Sequence, residues 1–392
     1  MYNETAYSLG AQRSVIRDLF EYGLARAAVV GPENIFDYSL GNPSIPSPPE
    51  VNETIRQILA DTDSLSVHGY TPAIGIPAAR RAIAEDLNAR YGTDIRPEEL
   101  FIGCGAAPEL VATFRALAVP GARILAIAPF FPEYRPWVEA AGAALDIVPP
   151  DVPDFQIRLE AVEAMLTPDT VAVIINSPNN PSGTVYTAQT LQSLAALLTE
   201  KSRQYGHPIY IVSDEPYREL VYDGVQVPFI PAIYPNTLVC YSYSKCLSLP
   251  GERIGYVYVP RQAENARQLY AAIAGAARSF GHVCAPSLWQ QVIARCTHLR
   301  PDLNAYDKNR RALYDGLAEA GYRVAQPHGA FYLFVEAPGG DAVAFSEKAK
   351  QLDLLIVPGD SFGCPGWFRL CYCVSYDVIQ RSLPLFRQLI EA

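Results

Sequence analysis

The length, composition and charge of the chain exclude several classes of protein. At 392 residues, with 49% hydrophobic and 18% charged residues, it is long enough for one very large globular domain or two ordinary ones. The net charge of −10, without any basic run, argues against nucleic acids and anionic membranes as partners. No apolar stretch reaches the ~20 residues that a membrane-spanning helix needs.

The N-terminal segment and the cysteines favour a cytoplasmic protein. The start of the chain, MYNETAYSLGAQR, lacks the charged residues and apolar block of a secretory signal. The eight cysteines are scattered, and they form neither a CxxC pair nor a cysteine–histidine spacing typical of a metal site. We therefore expect reduced, mostly buried thiols, no bound metal and a cytoplasmic location.

The predicted elements in the middle of the chain alternate between strand and helix. In chain order they are a strand at 100–103, a helix at 108–118, strands at 123–130 and 170–176, an amphipathic helix at 187–206, and strands at 208–215 and 237–244. Thr187 is the expected N-cap of the long helix, and Gly206 is its expected stop. The β-branched run TVAVIIN is typical of a strand buried on both faces. This alternation predicts a mostly parallel sheet with helices on both faces.

The two ends of the chain differ from its middle. Residues 1–40 contain one predicted helix and a loop, and after about residue 285 helices at 304–320 and 342–352 mix with short strands. We expect an α/β fold with a large domain at 41–285 and a smaller α+β domain built from 1–40 and 286–392. Ligands bind such sheets beyond the carboxyl ends of the strands, so the loops that follow strands are the candidate site.

Two of these loops have the composition of rigid or anion-binding turns. GCGAAPEL (103–110) ends a strand in glycines and begins a helix, which would leave bare backbone amides for a phosphate, although an ordinary tight turn is the commoner explanation. NSPNNPSG (176–183) would hold Asn180 in one orientation, and the alternative is a turn capped by asparagines.

A third loop, SDEPYREL (213–220), places Asp214 directly after a buried strand. A carboxylate there needs a partner, and the cationic ring nitrogen of a cofactor would be one. Tyr217 follows three residues later. The alternative is a helix N-cap formed by Asp214, with ordinary surface charge beside it.

The fourth stretch, SYSKCLSLPGERIGY (242–256), contains one of only five lysines in the chain. Lys245 lies between two apolar runs, and burial of an ammonium group lowers its pKa and makes it a nucleophilic amine. Schiff-base chemistry requires such an amine. Ser242 and Ser244 flank the start of this loop, and Arg253 follows eight residues after Lys245. Arginine binds phosphate through two parallel hydrogen bonds. The alternative is a lysine that extends from a strand end into solvent.

Together, the four loops would offer a phosphate cradle, a carboxylate for a ring nitrogen, donors for a phenolic oxygen and an amine nucleophile. Each part of pyridoxal phosphate would then have a partner. The motifs NSPNNPSG, SDEPY, SxSK and RIGY resemble those of the class I/II aminotransferases, which include the aspartate aminotransferases, in order and spacing. The resemblance runs from SLGNPS (39–44) to FRLCY (368–372). It implies a fold-type I pyridoxal-phosphate enzyme with a mostly parallel large domain and a smaller domain from both termini.

The resemblance also implies roles for individual residues. Lys245 would bind the cofactor covalently and move the substrate Cα proton, and Asp214 would pair with the ring nitrogen. The other implied cofactor contacts are Asn180 and Tyr217 at the phenolic oxygen, Phe131 on the ring face, and Gly105, Ala106, Ala107, Ser242 and Arg253 at the phosphate.

For the substrate, the resemblance implies that Arg369, Gly41 and Asn180 hold the α-carboxylate. Tyr70 would reach the phosphate of a neighbouring subunit, which implies a homodimer with shared active sites. The side-chain pocket is less defined by the sequence, and its candidate residues are Ile16, Tyr70, Arg278 and Tyr332.

The sequence departs from the family in the phosphate loop. Ala106 and Ala107 stand where many relatives carry a hydroxyl or amide side chain, so cofactor affinity could be weaker. The loop also lacks a lysine that some aspartate-specific relatives use, so a preference for aspartate is not secured.

The predicted function is transfer of an amino group between an α-amino acid and a 2-oxo acid by a ping-pong mechanism. The donor would be a small or dicarboxylic amino acid such as aspartate. The same scaffold and cofactor would also serve a C–S β-lyase, since fold does not fix reaction class. A third reading, a cofactor-sensing regulator, is disfavoured because the segment before residue 39 is short and not basic.

Overall fold

Twelve strands form three sheets in the computed structural model, which describes residues 1–11 and 14–391. The strands are β1 Phe36–Asp37, β2 Leu100–Gly103, β3 Arg123–Ile127, β4 Ala144–Val148, β5 Thr170–Asn176, β6 Tyr210–Asp214, β7 Thr237–Ser242, β8 Gly255–Tyr258, β9 Tyr332–Glu336, β10 Leu354–Leu355, β11 Val357–Pro358 and β12 Trp367–Cys371.

The α-helices of the same residues surround these sheets. They are α1 Glu4–Ala11, α2 Val15–Val30, α3 Pro49–Asp61, α4 Ser64–His68, α5 Pro77–Tyr91, α6 Ala106–Leu117, α7 Tyr134–Ala141, α8 Leu159–Met165, α9 Ala188–Tyr205, α10 Ile230–Ile233, α11 Tyr243–Cys246, α12 Ala266–Ser279, α13 Ser287–Cys296, α14 Leu303–Glu319, α15 Ala342–Lys350 and α16 Tyr376–Glu391.

The largest sheet has seven strands in the order β2-β8-β7-β6-β5-β3-β4. Only β8 runs against the others, since it pairs antiparallel with both of its neighbours while β4, β3, β5, β6 and β7 pair in parallel. This confirms the predicted α/β fold. The register pairs Asn176 with Asp214 and Asp214 with Cys240, so the loops after β5 and β6 begin side by side.

Alternation along the central strands explains why both faces of this sheet are covered. Ile124 and Ala126 of β3 pack into a cluster with α6, α7 and α12, whereas Leu125 and Ile127 pack into another with α8 and α9. Successive side chains of a strand point to opposite faces. A continuous apolar run therefore contributes side chains to the apolar clusters on both faces of the sheet, as the sequence pattern predicted.

Local signals set several element ends. The Thr187 side chain accepts from the Thr190 amide, and Gly206 ends α9 with φ 78°, as expected from the sequence. Two expectations were wrong. The predicted strand at 237–244 ends at Ser242, because Ser242 caps the short helix α11. Residues 1–40 contain the two helices α1 and α2 rather than one.

Both chain ends contribute to a second layer. The three-stranded antiparallel sheet β11-β12-β9 packs with α14, α15 and α16 in one apolar cluster, and β1 pairs with β10. The predicted boundary at 285/286 would assign α13 to the smaller domain. However, α13 packs against α3 and α5, which lie in the range predicted as the large domain. We therefore propose that α13 belongs to the large layer and that the smaller one resumes at α14.

None of the described helices is long and apolar enough to cross a lipid bilayer. All eight cysteines are free thiols, and five of them are buried. Among residues 1–11 and 14–391, no group of three or more histidine, cysteine, aspartate or glutamate side chains is placed to hold a metal ion.

Candidate active site

A cavity of about 360 Å³ lies at the carboxyl ends of the central strands, lined by residues that end or follow β2, β3, β5, β6 and β7. The edge of a parallel sheet brings these loops together, as the strand rhythm predicted. The predicted site residues on its wall are Gly41, Ala106, Ala107, Phe131, Asn180, Asp214, Tyr217, Lys245, Arg253 and Arg369.

Lys245 enters the cavity from the first turn after β7. Its Nζ donates a hydrogen bond to the Gly41 carbonyl oxygen at 2.7 Å and lies 5.5 Å from the centre of the Phe331 ring. Burial lowers the pKa of the Lys245 ammonium below its ordinary value. The environment thus favours the neutral, nucleophilic amine that the sequence pattern predicted.

Asp214 ends β6 and lies 6% exposed at the base of the cavity. The Tyr134 hydroxyl donates to Oδ2 at 2.6 Å, and Oδ1 has no hydrogen-bond partner among the described residues. Burial raises the pKa of Asp214 to about 7, although the Tyr134 hydrogen bond opposes this rise. A buried carboxylate oxygen without a donor is costly, so a cationic partner at this position would be strongly bound.

Arg369, on β12, reaches the cavity from the smaller layer and is only 2% exposed. Its Nη1 donates to Asn180 Oδ1 at 3.0 Å, and its Nη2 donates to the Ser39 carbonyl oxygen. The guanidinium carbon lies 4.7 Å from the centre of the Tyr332 ring. Within the described residues its Nε has no acceptor. A fixed, buried guanidinium of this kind suits the recognition of a carboxylate.

A chain of asparagine contacts fixes Asn180. Asn176 Nδ2 donates to the Asp214 carbonyl oxygen at 2.9 Å, while Asn176 Oδ1 accepts from the Asn180 amide at 2.8 Å. The loop after β5 is therefore tied to the end of β6. Asn180, which is 5% exposed, is held in one orientation as the loop composition predicted.

The start of α6 and Arg253 form the end of the cavity that could bind a phosphate. Gly105 caps the helix with φ 96°, a conformation that side-chain-bearing residues rarely adopt, and a Cβ there would lie 3.0 Å from Arg253 Nη2. Ala106 and Ala107 line the wall in the first turn. The free amides of a helix start and a guanidinium together form a site for an anion.

Gly41 is required by the approach of Tyr332. A Cβ on Gly41 would overlap the Tyr332 hydroxyl, which lies 3.0 Å from the Tyr217 hydroxyl. Both tyrosines and Gly41 line the cavity. Tyr332, expected only as a pocket residue, thus joins the segment after β1 to the loop after β6.

Three predicted contacts lie off the cavity wall. Gly105 sits directly behind it, against Arg253. Ser242 was expected at the phosphate, but it is 2% exposed, its Oγ lies 2.5 Å from Ser244 Oγ, and Ser244 is the serine on the wall. The reason is that Ser242 Oγ caps α11. Tyr70 is 98% exposed and does not line this cavity.

Of the two remaining candidate pocket residues, one lines the cavity and the other does not. Ile16 lies on the wall, whereas Arg278, near the end of α12, is exposed and does not line the cavity. The sequence reasoning missed Tyr134, Trp137 and Glu133, and it noted Ser244 at the loop start without giving it a role. A usable signal existed for Tyr134, because it follows Phe131 by one helical turn in the loop after β3.

Comparisons with known proteins agree with this geometry. Residues 33–383 match the family model described as aminotransferase class I and II. The chain is similar to the aspartate/prephenate aminotransferase of Thermus thermophilus, at 30% identity over 89% of each chain. It is also similar to aromatic-amino-acid aminotransferase 2 of Thermococcus litoralis, at 28% identity over 96% of each chain.

Solved structures give the same answer. A crystal structure of an amino transferase from Eubacterium rectale has 53% identity and a TM-score of 0.98, covering 100% of this chain and 98% of that one. Aspartate aminotransferase of Thermotoga maritima has 26% identity and a TM-score of 0.87, with 100% of both chains covered. Since the family model spans nearly the whole chain, the protein belongs to the class I and II aminotransferase family.

Proposed function

We propose that this aminotransferase uses pyridoxal phosphate to move an amino group from an α-amino acid to a 2-oxo acid by a ping-pong mechanism. The observation that carries the proposal is one cavity in which the Lys245 amine, the buried Asp214 carboxylate and the buried Arg369 guanidinium converge. They would serve as nucleophile, counter-charge and carboxylate clamp.

The residues present fit pyridoxal phosphate. Within the part of the chain that the structure describes, Asp214 Oδ1 has no donor, and the protonated ring nitrogen would supply one. The start of α6 and Arg253 would hold the phosphate, and Phe131 would face the ring. When bound, the cofactor supplies an electron sink and a carbonyl carbon that accepts the amino group.

Lys245 would carry the cofactor covalently and would later act as a free amine that takes the substrate Cα proton. Its lowered pKa supports both roles, because only the neutral amine attacks a carbonyl carbon or accepts a proton. The hydrogen bond from Nζ to the Gly41 carbonyl oxygen supports this role, since Gly41 is itself proposed to lie at the substrate carboxylate.

Arg369 would bind the substrate α-carboxylate through its guanidinium. Asn180 and the Ser39 carbonyl already fix two of its nitrogens, so little conformational entropy would remain to be lost on binding. Gly41 would let the segment after β1 close over the carboxylate.

The C–S β-lyase alternative gains no support from the relatives named above, which are all aminotransferases. These relatives differ in the donor that their names state, so family membership leaves the side-chain class open.

The testing experiment mixes the cofactor-loaded enzyme with single amino acids and no oxo acid. We expect a single conversion of the cofactor's absorbance with one equivalent of 2-oxo acid released per site. Continuous release of ammonia and pyruvate from cystathionine would instead show a lyase and overturn the proposal.

We also propose a cytoplasmic homodimer with shared active sites. The exposure of two large side chains, Tyr70 and Leu65, supports a partner surface in this segment. Eight free thiols suit a reducing compartment.

A further inference from the structure

One charged group on the cavity wall has no role in the chemistry proposed above. The charged side chains that line the cavity, within the described residues, are Glu133, Asp214, Lys245, Arg253 and Arg369. Four of these would serve the cofactor or the α-carboxylate. Glu133 remains.

Glu133 lies at the mouth of the cavity. It directly precedes α7, is partly buried, and its side chain caps no helix amide. A second cavity of about 650 Å³ meets the first here, and Glu133, Phe131, Ser14 and Ile16 line both. In the described part of the chain no basic group forms an ion pair with Glu133.

The surroundings of Glu133 are mostly apolar. Ile16, Leu40 and Trp137 line the same cavity, and no further cation of the described chain lies on its wall. An aliphatic stem would pack on these side chains, and the end of that stem would lie near the carboxylate. Charges interact more strongly in such a partly desolvated site than in water.

We propose, resting on the aminotransferase function above, that Glu133 determines side-chain specificity. It disfavours donors with a second carboxylate and favours donors whose side chain ends in a cation. Arg17 is the competing determinant, because it lines the second cavity, although it is exposed and absent from the wall of the first.

The test uses three donors that share one aliphatic stem: 2-aminoadipate, norleucine and lysine. The first half-reaction of the cofactor-loaded enzyme is followed for each donor, and the product is identified as the 2-oxo acid. For lysine, the product is detected as the cyclic imine that forms when the terminal amine condenses with the 2-oxo group and releases water. In the wild type we expect lysine to have the lowest half-saturating concentration of the three donors and 2-aminoadipate to have the highest.

Glu133→Gln should lower the half-saturating concentration of 2-aminoadipate about tenfold and raise that of lysine about tenfold, which is the size expected for one charge at intermediate screening. Norleucine should be unaffected, which also shows that the variant folds and binds cofactor. The matched control Arg17→Gln should leave the order of the three donors unchanged.

Two results overturn the inference alone: 2-aminoadipate as the best wild-type donor, or half-saturating concentrations of 2-aminoadipate and lysine that Glu133→Gln leaves unchanged. If no amino acid converts the wild-type cofactor, the aminotransferase function itself fails and the inference with it.

Discussion

The hydrogen bond from the Tyr134 hydroxyl to Asp214 Oδ2, 2.6 Å long, leaves the other carboxylate oxygen buried and without a donor among the described residues. It also stabilises the charged form of Asp214, against the effect of burial. Tyr134 is itself 1% exposed, so the donor cannot turn away into water. We infer that Tyr134 positions the carboxylate and partly offsets the effect of burial on its pKa.

Replacing Tyr134 by phenylalanine should therefore raise the pKa of Asp214 further. Because the carboxylate is needed in its charged form, the acid limb of the kcat/KM profile should move to higher pH by about one unit. A pH series of initial rates measures this shift. Tyr234→Phe is the control, since it removes a buried hydroxyl that donates to the Ile209 carbonyl instead. Equal acid limbs in wild type and Tyr134→Phe would contradict the assigned role.

Asp214→Asn should change rate and stability in opposite directions. The variant should retain cofactor but turn over slowly, because the ring nitrogen loses its counter-charge. Without cofactor it should be more stable than the wild type at pH 8. The folded-state pKa, about 7, lies above the unfolded value, so the wild type loses stability as pH rises from about 4 towards 7, by roughly 4 kcal/mol at most. Denaturant unfolding of both proteins at pH 4 and pH 8 tests this. The prediction is refuted if the difference in free energy of unfolding between the variant and the wild type is no larger at pH 8 than at pH 4.

Lys245→Ala should abolish the covalent cofactor absorbance and nearly all turnover. The cavity wall would keep its other charges, so the variant should still bind cofactor without a covalent bond. Spectra with and without borohydride reduction separate the two modes of binding. Lys201, partly exposed and paired with Glu163, offers a matched control for loss of one lysine. Substantial transamination by the alanine variant would contradict the proposed role of Lys245.

Sequence reasoning found the groups that carry chemistry but not those that support them. Asp214 and Lys245 were identifiable because a charge after an apolar strand is unusual. Ser244 was noted at the loop start but given no role, and the spacing of Tyr134 from Phe131 is only a weak signal, since a tyrosine or serine near a strand end is common in any loop. Their importance depends on which oxygen or wall they face, and that follows from packing between distant segments.

The two ends of helix α9 lie where the sequence predicted them. The Thr187 side chain accepts from the Thr190 amide, so its loss would leave a helix-start donor unsatisfied. Thr187→Ala should reduce the free energy of unfolding by about 1 kcal/mol without altering turnover, because α9 packs on the face of the sheet away from α6. Chemical denaturation measures the change. The exposed, mid-helix Gln192→Ala is the control, and an equal loss there would rule out a capping effect.

Strand ends were harder to predict than strand existence. The strand after residue 237 was expected to run to 244, because its apolar pattern continues through Tyr243. The structure ends it at Ser242, where the hydroxyl accepts from the Ser244 amide and begins a helical turn. That turn places Ser244 and Lys245 on the cavity wall. A local cap overrode a periodicity, and this decided which serine faces the site.

The arrangement of two layers around one cavity explains why residues from both ends of the chain meet. Arg369 from β12 contacts the Ser39 carbonyl after β1 and Asn180 after β5, so three distant segments join at one guanidinium. The order of motifs along the chain predicted which segments would meet. The position of α13 could not be predicted in the same way, because its apolar face fits either layer until its partners α3 and α5 are known.

The proposed sharing of active sites between two subunits makes a prediction about mixed dimers. Tyr70 is exposed here, and a role at the phosphate would require a partner subunit. Lys245→Ala and Tyr70→Ala should each be poorly active when cofactor is scarce. In a dimer of one chain of each kind, one site carries both changes and the other carries neither. Coexpression of the two variants should therefore restore about a quarter of all sites, since random pairing makes half of the dimers mixed.

The measurement is turnover per bound cofactor in the coexpressed mixture, compared with the two variants purified separately and then combined without exchange. A Lys245→Ala, Tyr70→Ala double variant coexpressed with Lys245→Ala is the control, because no pairing of those chains contains an intact lysine. Restoration in the mixture but not in the control requires that Tyr70 acts across a subunit interface. Activity equal to the mean of the separate variants would show instead that each chain builds its site alone.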